Sequence, residues 1–536
     1  MAEPAPPSPE QLTQQLDVYA STPGSSDQLV QLLRPPRLGL RSTPSLRSIY
    51  GAYAPVWPAL ALVWEVEAEK LAADDKASIP AVLALAAFLV SLCTQESHNQ
   101  AKAVMHVEPH LRKVLLAASS LFNLEDSSYT DMTRVCCQAL ANLVTGNEAV
   151  ANTYFSQRLQ LEESDNLIQR LLASPDHGTL QAVLIFLLNS VHGSHDRALL
   201  LGTSKAGAAV LDRLMTIVGV LFEDETPDGI AHEEFQSDIF ELSFAIVQQL
   251  IKLKAFAQTY EDHALMPGFA ISPTLVTLLK FLDGHLSLAG QATSHSVLSL
   301  APFLIRQLVY LSSFLIDEGA ERVKNAADAA TFQGLVLVLH CLCSMGLALE
   351  QAERGKEEDC EEEARVEMVK GAEAVVRLLR FSTTLLPPVS ARPAPPSMPP
   401  PQPSMSSPTA TPAPAASGLD LSPESTAAIA QLQRVIVQFL GILAFCPPLT
   451  TERPTPPPRV KDAQDRVRES GGLELLLSMC QIDERNTTMR EHALFAIRNL
   501  LKRNQASQDY VDAMKPQYRV GPNGELLDLP PPLRTQ

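Results

Sequence analysis

The sequence predicts an all-α fold of stacked helical units, and three of its features carry that prediction. The composition is 46% hydrophobic but only 5% aromatic, and Leu and Ala dominate, which suits helix-on-helix packing better than a sheet sandwich. Apolar residues recur at spacings of three and four, and no stretch shows the sustained alternation that is typical of strands. Similar segments also recur along the chain, as stacked repeats require.

Four of these segments align without gaps, and each has an apolar helix end, an Asn or Ser, a further apolar turn and a polar break. They are residues 88–101, 139–152, 186–199 and 496–509. The aligned residues are Ser91, Asn142, Asn189 and Asn499, and the first three are spaced 51 and 47 residues apart. Helix–turn–helix units with a period in the forties are typical of armadillo and HEAT repeats. We therefore predict an armadillo/HEAT-like α-solenoid with a Pro-rich disordered insertion.

The predicted domain organisation follows from shifts in composition along the chain. A Pro-rich stretch, 387–417, cannot form a packed core and is expected to be an extended linker. The interval 220–345 is helical in pattern but too diverged for its repeat boundaries to be set. The predicted segments are a disordered N-terminus at 1–27, helical repeats at 28–386, a linker at 387–430, a C-terminal armadillo-like domain at 431–515 and a disordered tail at 516–536.

Charge and motif content disfavour several classes of function. The 60 acidic and 42 basic residues give a net charge of −18, which argues against a nucleic-acid or anionic-membrane binder. The eight Cys lack the paired spacing of a zinc site. The nearest approach to a metal cluster, His192-x-x-His195, lies at a repeat break where polar residues are expected anyway. No phosphate loop, nucleophile elbow or zinc-protease motif occurs. We expect no enzyme activity, no metal and no cofactor.

One stretch, Phe332–Leu349, is about long enough to cross a membrane. Gln333 and His340 interrupt it, and an acidic run follows, so we expect a buried helix of the solenoid and no membrane span. The N-terminus has no basic region followed by an apolar run, so no secretory signal is expected either.

A resemblance to a known family enters near the C-terminus. The chain reads Arg-Glu-Ser-Gly-Gly-Leu at 468–473, Cys-Gln-Ile-Asp at 480–483, Arg-Glu-His-Ala at 490–493 and Ala-Ile-Arg-Asn-Leu-Leu at 496–501. These phrases closely resemble the C-terminal domain of the ataxin-10 family over residues 431–515. Residues 134–152 resemble the N-terminal region of that family. This chain departs from the family at 486–488, where the family usually has Asn-Pro-aromatic, and in a Pro-rich insert at 446–458.

The resemblance implies a cytoplasmic interaction protein that regulates cytokinesis, without catalysis. Two other classes stay open, namely an armadillo-type regulator or exchange factor for a small GTPase, and an enzyme with an unrecognised site. The oligomeric state is open, and a homo-oligomer is one possibility.

The candidate partner-binding residues come from the repeat alignment. In armadillo-type solenoids the third helix of each unit lines a binding face, and an Asn there both donates to and accepts from an extended peptide. The candidates are Asn142, Asn189, Arg498 and Asn499. The alternative is that these Asn hold neighbouring units together. Import receptors place a Trp four residues before this Asn, which the chain lacks, so that class is disfavoured. The linker also contains Pro-x-x-Pro, a possible SH3 or WW ligand.

Overall fold

Helices make up almost all of the described part of the chain. The computed structural model describes residues 6–22, 24–160, 166–223, 230–263, 269–318, 329–351, 359–387, 422–446, 456–514, 518–520 and 526–528. The chain divides into unit 1, Met1–Ala264, and unit 2, Leu265–Gln536. Each unit has its own helices and is described by itself.

Unit 1 contains fifteen α-helices within its described residues, and a 3-10 turn at Lys76–Ser78 precedes the fifth. The α-helices are α1 (Pro9–Ser21), α2 (Ser26–Ser42), α3 (Ser45–Ala52), α4 (Val56–Ala72), α5 (Ile79–Cys93), α6 (Ser97–His106), α7 (Glu108–Ala118), α8 (Ser127–Val144), α9 (Glu148–Leu159), α10 (Leu167–Leu171), α11 (His177–Val191), α12 (His195–Thr203), α13 (Lys205–Glu223), α14 (Ile230–Lys252) and α15 (Phe256–Glu261).

Unit 2 contains eleven α-helices and a two-stranded antiparallel hairpin in the parts that are described. The helices are α16 (Pro273–Leu286), α17 (His295–Leu298), α18 (Ala301–Glu318), α19 (Ala329–Gln351), α20 (Asp359–Val369), α21 (Ala372–Leu385), α22 (Pro423–Leu443), α23 (Pro458–Glu469), α24 (Gly472–Ser478), α25 (Met489–Leu501) and α26 (Gln505–Ala513). The strands β1 (Tyr518–Val520) and β2 (Leu526–Asp528) pair with Arg519 opposite Leu527.

In unit 1, each helix packs against the helix three further along the chain. This rule produces three parallel ladders: α2–α5–α8–α11–α14, α1–α4–α7–α10–α13 and α3–α6–α9–α12–α15. A repeat of three helices, each stacked on its counterpart in the next repeat, is an armadillo-like arrangement. The first ladder consists of third helices, since the chain passes from each of them into the first helix of the next repeat.

Unit 2 follows the same rule, with third helices α16–α19–α22–α25, first helices α17–α20–α23–α26 and second helices α18–α21–α24. The predicted all-α, armadillo-like solenoid is therefore confirmed.

The predicted linker lies inside a continuous ladder of unit 2. Helix α22 packs against α19 and α21, which precede the linker, and against α25, which follows it. Helices assigned to 28–386 and to 431–515 therefore pack directly against one another, and the predicted boundaries stay predictions. Helix α22 also begins at Pro423, inside the predicted linker, where Ser422 caps its N-terminus. The Pro-x-x-Pro sites lie outside the described residues.

Two segments that were expected to be disordered contain secondary structure. Residues 9–21 form α1, which starts with Pro9 and a capping box between Ser8 and Gln11. Leu12, Leu16 and Tyr19 are buried on one face of α1. This spacing outweighs the Pro- and Ser-rich composition that suggested disorder over 1–27. The tail predicted at 516–536 contains the hairpin of β1 and β2.

Four helical segments are apolar and long enough to cross a membrane by length and composition: Lys76–Cys93, His295–Asp317, Ala329–Gln351 and Pro423–Leu443. Half to two-thirds of each apolar window is buried inside the protein. These segments include α5, α19 and α22, which pack on both sides in the third-helix ladders. Burial between repeats accounts for their apolar composition, including that of Phe332–Leu349.

The C-terminal helices run in the order helix, Gly turn, short helix, loop and longer helix. Gly471 has φ +75°, a left-handed conformation that favours glycine, and it separates α23 from α24. On α25, the buried residues include Met489, Ala493, Ile497 and Leu500. Leu494, which is also apolar, lies off this face and is 49% exposed.

Candidate functional site

The four aligned segments share one backbone feature, a left-handed residue four positions after the aligned Asn or Ser. These residues are Gln95 (φ 60°), Gly146 (φ 69°), Gly193 (φ 69°) and Arg503 (φ 60°). Each follows a third helix and turns the chain into the first helix of the next repeat. The alignment of the segments therefore describes a real structural equivalence, which we call the repeat junction.

A fifth repeat junction lies in the interval 220–345, where no repeat boundaries could be predicted. Lys254, with φ 59°, follows α14 and precedes α15. The residue four positions earlier is Leu250, which is fully buried. This junction was missed because Leu replaces the Asn or Ser that made the other four recognisable.

The aligned Asn side chains connect successive third helices. Asn142 on α8 donates from Nδ2 to the Val90 carbonyl of α5 at 2.8 Å, and Asn499 on α25 donates to the Gly441 carbonyl of α22 at 2.9 Å. Asn189 on α11 donates to Oγ1 of Thr145, just after α8, at 2.8 Å. These contacts are the ones expected if the Asn residues hold neighbouring units together.

The four candidate residues differ in how accessible they are to a partner. Asn499 is only 4% exposed, so its amide belongs to the core. Asn142 and Asn189 are half-buried, and Arg498 is exposed on α25. Peptide binding through Asn142, Asn189 or Arg498 stays a prediction, since a half-buried amide can still offer its Oδ1 to a backbone N–H.

A second set of side chains, missed by the sequence reasoning, closes the repeat junctions. Gln100 on α6 donates from Nε2 to the carbonyls of Asn142 and Thr145, at 2.8 and 2.9 Å. Its Oε1 accepts from Nδ2 of Asn147, the N-cap of α9, at 3.0 Å. We call this arrangement the glutamine clip.

The glutamine clip recurs at the last junction of unit 2. Gln464 on α23 donates to the carbonyls of Asn499 and Lys502, at 2.8 and 3.1 Å, and accepts from Asn504 at 3.2 Å. Asn504 is the N-cap of α26, as Asn147 is of α9. The aligned Asn147 and Asn504 were a visible signal, but nothing in the sequence connected either of them to a distant Gln.

The metal-like pair His192 and His195 also lies at a repeat junction. Nδ1 of His195, at the start of α12, lies 2.7 Å from the carbonyl of Leu253, which follows α14 at the end of the same repeat. The buried Arg197 donates to the His192 carbonyl at 2.9 Å. Within the described residues, no three His, Cys, Asp or Glu side chains are grouped as a metal site would require.

A buried charge cluster lies between α7 and α9. Glu108 accepts from the Tyr154 hydroxyl at 2.9 Å and from Arg158 at 2.7 Å. Burial and the neighbouring carboxylate raise the pKa of Tyr154 well above its ordinary value. The adjoining cavity, lined by Cys137, Tyr154 and Phe186, measures about 20 Å³. That is room for about one water molecule rather than a substrate.

Comparison with known proteins identifies the C-terminal part of the chain. The spinocerebellar ataxia type 10 protein domain matches residues 459–529. The match therefore covers the helices α23 to α26 and the hairpin of β1 and β2. It begins later than the predicted boundary at 431 and extends past 515.

Individual relatives match over short lengths. The ataxin-10 homolog of Dictyostelium discoideum is 41% identical over 66 residues, which are 12% of this chain and 11% of that protein. The homolog of Kluyveromyces lactis is 40% identical over 92 residues, 17% of this chain and 14% of that protein. Ataxin-10 of Homo sapiens is 39% identical over 57 residues, 11% of this chain and 12% of that protein. The chain thus matches only 11 to 14% of the length of these relatives.

Among solved structures, one of SYS-1 aligns with 92% of this chain and 75% of that chain, at a TM-score of 0.36 and 12% identity.

Proposed function

We propose that the chain, whose C-terminal domain is that of the ataxin-10 family, is a non-enzymatic scaffold in the cytoplasm that regulates cytokinesis through protein–protein interactions. The observation that carries the proposal is the match of residues 459–529 to the family's domain. The role in cell division comes from the family, since a fold alone does not fix a function.

The architecture supports a scaffold because stacked repeats expose long surfaces rather than one deep pocket. In unit 1, the outward side chains of α8 and α11 include Gln138, Gln181, Ile185 and Asn189. These are mostly uncharged groups, able to contact both the backbone and the apolar side chains of a partner segment. We place the partner-binding prediction on this third-helix surface, with Asn142 and Asn189 as the hydrogen-bonding groups.

The decisive experiment is a conditional depletion of the protein in its native cells, with the tagged protein imaged in parallel. We expect cells that divide their nuclei but fail to separate, scored as nuclei per cell and completed divisions. Rescue by the full chain is the control. Normal division after complete depletion would refute the cytokinesis role, and a tagged protein confined to an organelle would refute the cytoplasmic location.

The binding surface is tested by rescue with two Asn variants that differ in burial. Asn189→Ala removes a half-buried group whose hydrogen bond to Thr145 is exposed, so it should lower the melting temperature less than Asn499→Ala does, while weakening rescue. Asn499→Ala removes a buried hydrogen bond to Gly441 and should lower stability measurably. Full rescue by Asn189→Ala would remove Asn189 from the binding surface.

A further inference from the structure

The loop between α7 and α8 projects two adjacent apolar side chains into solvent. Leu121 is 88% exposed and Phe122 is 92% exposed, more than any other large hydrophobic side chain in the described residues. Single exposed hydrophobics are common on protein surfaces, but a neighbouring Leu and Phe at the tip of one loop form a continuous apolar projection. We call this pair the apolar knob.

Hydrogen bonds within the loop hold the apolar knob in place. Asn123 donates from Nδ2 to the Ala117 carbonyl at the end of α7, at 3.0 Å. The backbone N–H groups of Asn123 and Leu124 both donate to the Ser120 carbonyl, at 3.1 and 2.9 Å. Leu121 and Phe122 therefore lie within a closed turn, and their exposure follows from the turn's hydrogen bonding.

Neighbouring repeats fix the same loop from both sides. Arg170 on α10 donates to the carbonyls of Leu116 and Ser119, at 3.2 and 3.3 Å. On the other side, Lys76 contacts Asp126, the N-cap of α8, at 2.8 Å. A loop that is anchored to three repeats loses little conformational entropy on binding, which favours its use as a preorganised contact.

The surroundings of the apolar knob are acidic. Glu125 is exposed beside it, and Asp126 follows with a pKa lowered to about 2, chiefly by its hydrogen bond from Lys76. Asp74 contacts Tyr129, which lies beside the same lysine. An anionic membrane would be repelled by this rim, whereas a basic protein surface would be attracted.

We propose that the apolar knob, Leu121 and Phe122, inserts into an apolar pocket of a partner protein whose rim carries Lys or Arg side chains. A desolvated aromatic at the centre of a contact is the usual anchor of a protein interface. The exposed carboxylate of Glu125, beside the knob, then faces the basic rim and fixes the orientation. The inference rests on the proposed scaffold function only because that function gives the chain protein partners. The proposed surface lies far in sequence from the family domain at 459–529.

The test uses the full chain with the photocrosslinker p-benzoylphenylalanine at position 122, irradiated in its native cells. The crosslinked protein is identified by mass spectrometry, purified and titrated with the unmodified chain. We expect its crosslinked peptide to border an apolar, Lys- or Arg-rimmed pocket. We expect Phe122→Ser to weaken binding at least tenfold, and Glu125→Lys to weaken it and reduce its salt dependence.

Met105→Ser is the matched control, because Met105 is 68% exposed on α6 and lies outside the loop. It should change the affinity less than twofold. The proposal is overturned if no protein crosslinks, if only lipid does, or if Phe122→Ser and Met105→Ser bind the captured protein equally well. Full rescue of depleted cells by Phe122→Ser would remove the knob from the cytokinesis role and leave the scaffold proposal intact.

Discussion

Replacement of Gln100 by Met should destabilise unit 1 without changing the volume of its core much. Gln100 is 1% exposed, and its amide makes three hydrogen bonds in the glutamine clip. Met has a similar length and no amide, so the variant removes the bonds and leaves little cavity. The loss of stability should therefore measure the hydrogen bonds of the glutamine clip and not a change in core packing.

The magnitude follows from the groups that lose their partner. The carbonyls of Asn142 and Thr145 each lose a buried donor, whereas Nδ2 of Asn147 keeps its bond to the Ser97 carbonyl at 3.0 Å. Asn142 is half-buried and Thr145 is exposed, so each lost hydrogen bond costs about 0.5–1.5 kcal/mol, and Gln100→Met should lower the free energy of unfolding by about 1–3 kcal/mol.

The assay can isolate unit 1, because the two Trp residues of the chain, Trp57 and Trp64, both lie on α4 and are buried. Urea unfolding followed by Trp fluorescence therefore reports this unit. The matched control is Gln138→Met, the same chemical change at an exposed position on α8. It should change the free energy of unfolding by about 0.5 kcal/mol or less.

If the urea midpoints of Gln100→Met and Gln138→Met coincide, the glutamine clip does not stabilise unit 1. Gln464→Met tests the equivalent clip in unit 2, where hydrogen exchange of α25 and α26 reports the loss. A similar destabilisation at both sites would show that the two junctions are energetically as well as geometrically equivalent.

Three further predictions concern unit 2. Arg503→Gly should stabilise it by about 1 kcal/mol, because Arg503 adopts φ 60° and glycine does so without steric cost. Ile497→Asp should destabilise it by about 3–5 kcal/mol, because Ile497 is 9% exposed and the new carboxylate would be buried without a partner. Burial raises the pKa of Glu350 to about 7, so Glu350→Gln should stabilise unit 2 by about 1–2 kcal/mol at pH 8, after allowance for solvent screening, and by almost nothing at pH 4.

Each of these has a contrasting measurement by circular dichroism or hydrogen exchange. Arg498→Gly, inside α25, should destabilise by about 1 kcal/mol, opposite in sign to Arg503→Gly. Leu494→Asp should cost far less than Ile497→Asp, and equal losses would contradict the buried face of α25. For Glu350, the folded state binds the proton more tightly between pH 4.5 and 7, so wild-type stability falls as pH rises through that range. A constant difference between wild type and Glu350→Gln at all pH values would contradict the raised pKa.

Local sequence patterns predicted the helices and the ends of the third helices, because both depend on residues that are close in sequence. The spacing of apolar residues identified the helices, and the break after Asn142, Asn189 and Asn499 identified third-helix ends, because a polar turn must follow each one. The junction at Lys254 was not predicted because Leu250 stands where the other junctions have Asn or Ser, and a left-handed residue needs no particular side chain to mark it. Helix α1 was not predicted because residues 1–27 are rich in Pro and Ser, a composition that suggested disorder. The spacing of Leu12, Leu16 and Tyr19 along one helix face indicates the helix.

The side-chain networks could not be predicted because they join residues that are distant in sequence. Gln100 on α6 lies 42 residues before Asn142 on α8, whereas Gln464 on α23 lies 35 residues before Asn499 on α25. Nothing local distinguishes these Gln residues from exposed ones such as Gln138. The exposure of Phe122 was equally invisible, since an aromatic in an apolar sequence is expected in the core, and only the closed turn around Asn123 directs it outward.

The position of the linker has a consequence for the covalent continuity of the chain. Helix α22 packs against α19 and α21, so the described helices on the two sides of the gap between Leu385 and Pro423 contact each other directly. Lengthening a closed loop costs only about 0.6 kcal/mol per doubling, so changes in the length of this insert should scarcely affect folding. A chain cut within 388–421 should therefore remain one particle, and fragments 1–386 and 423–536, produced separately, should reassemble by complementation.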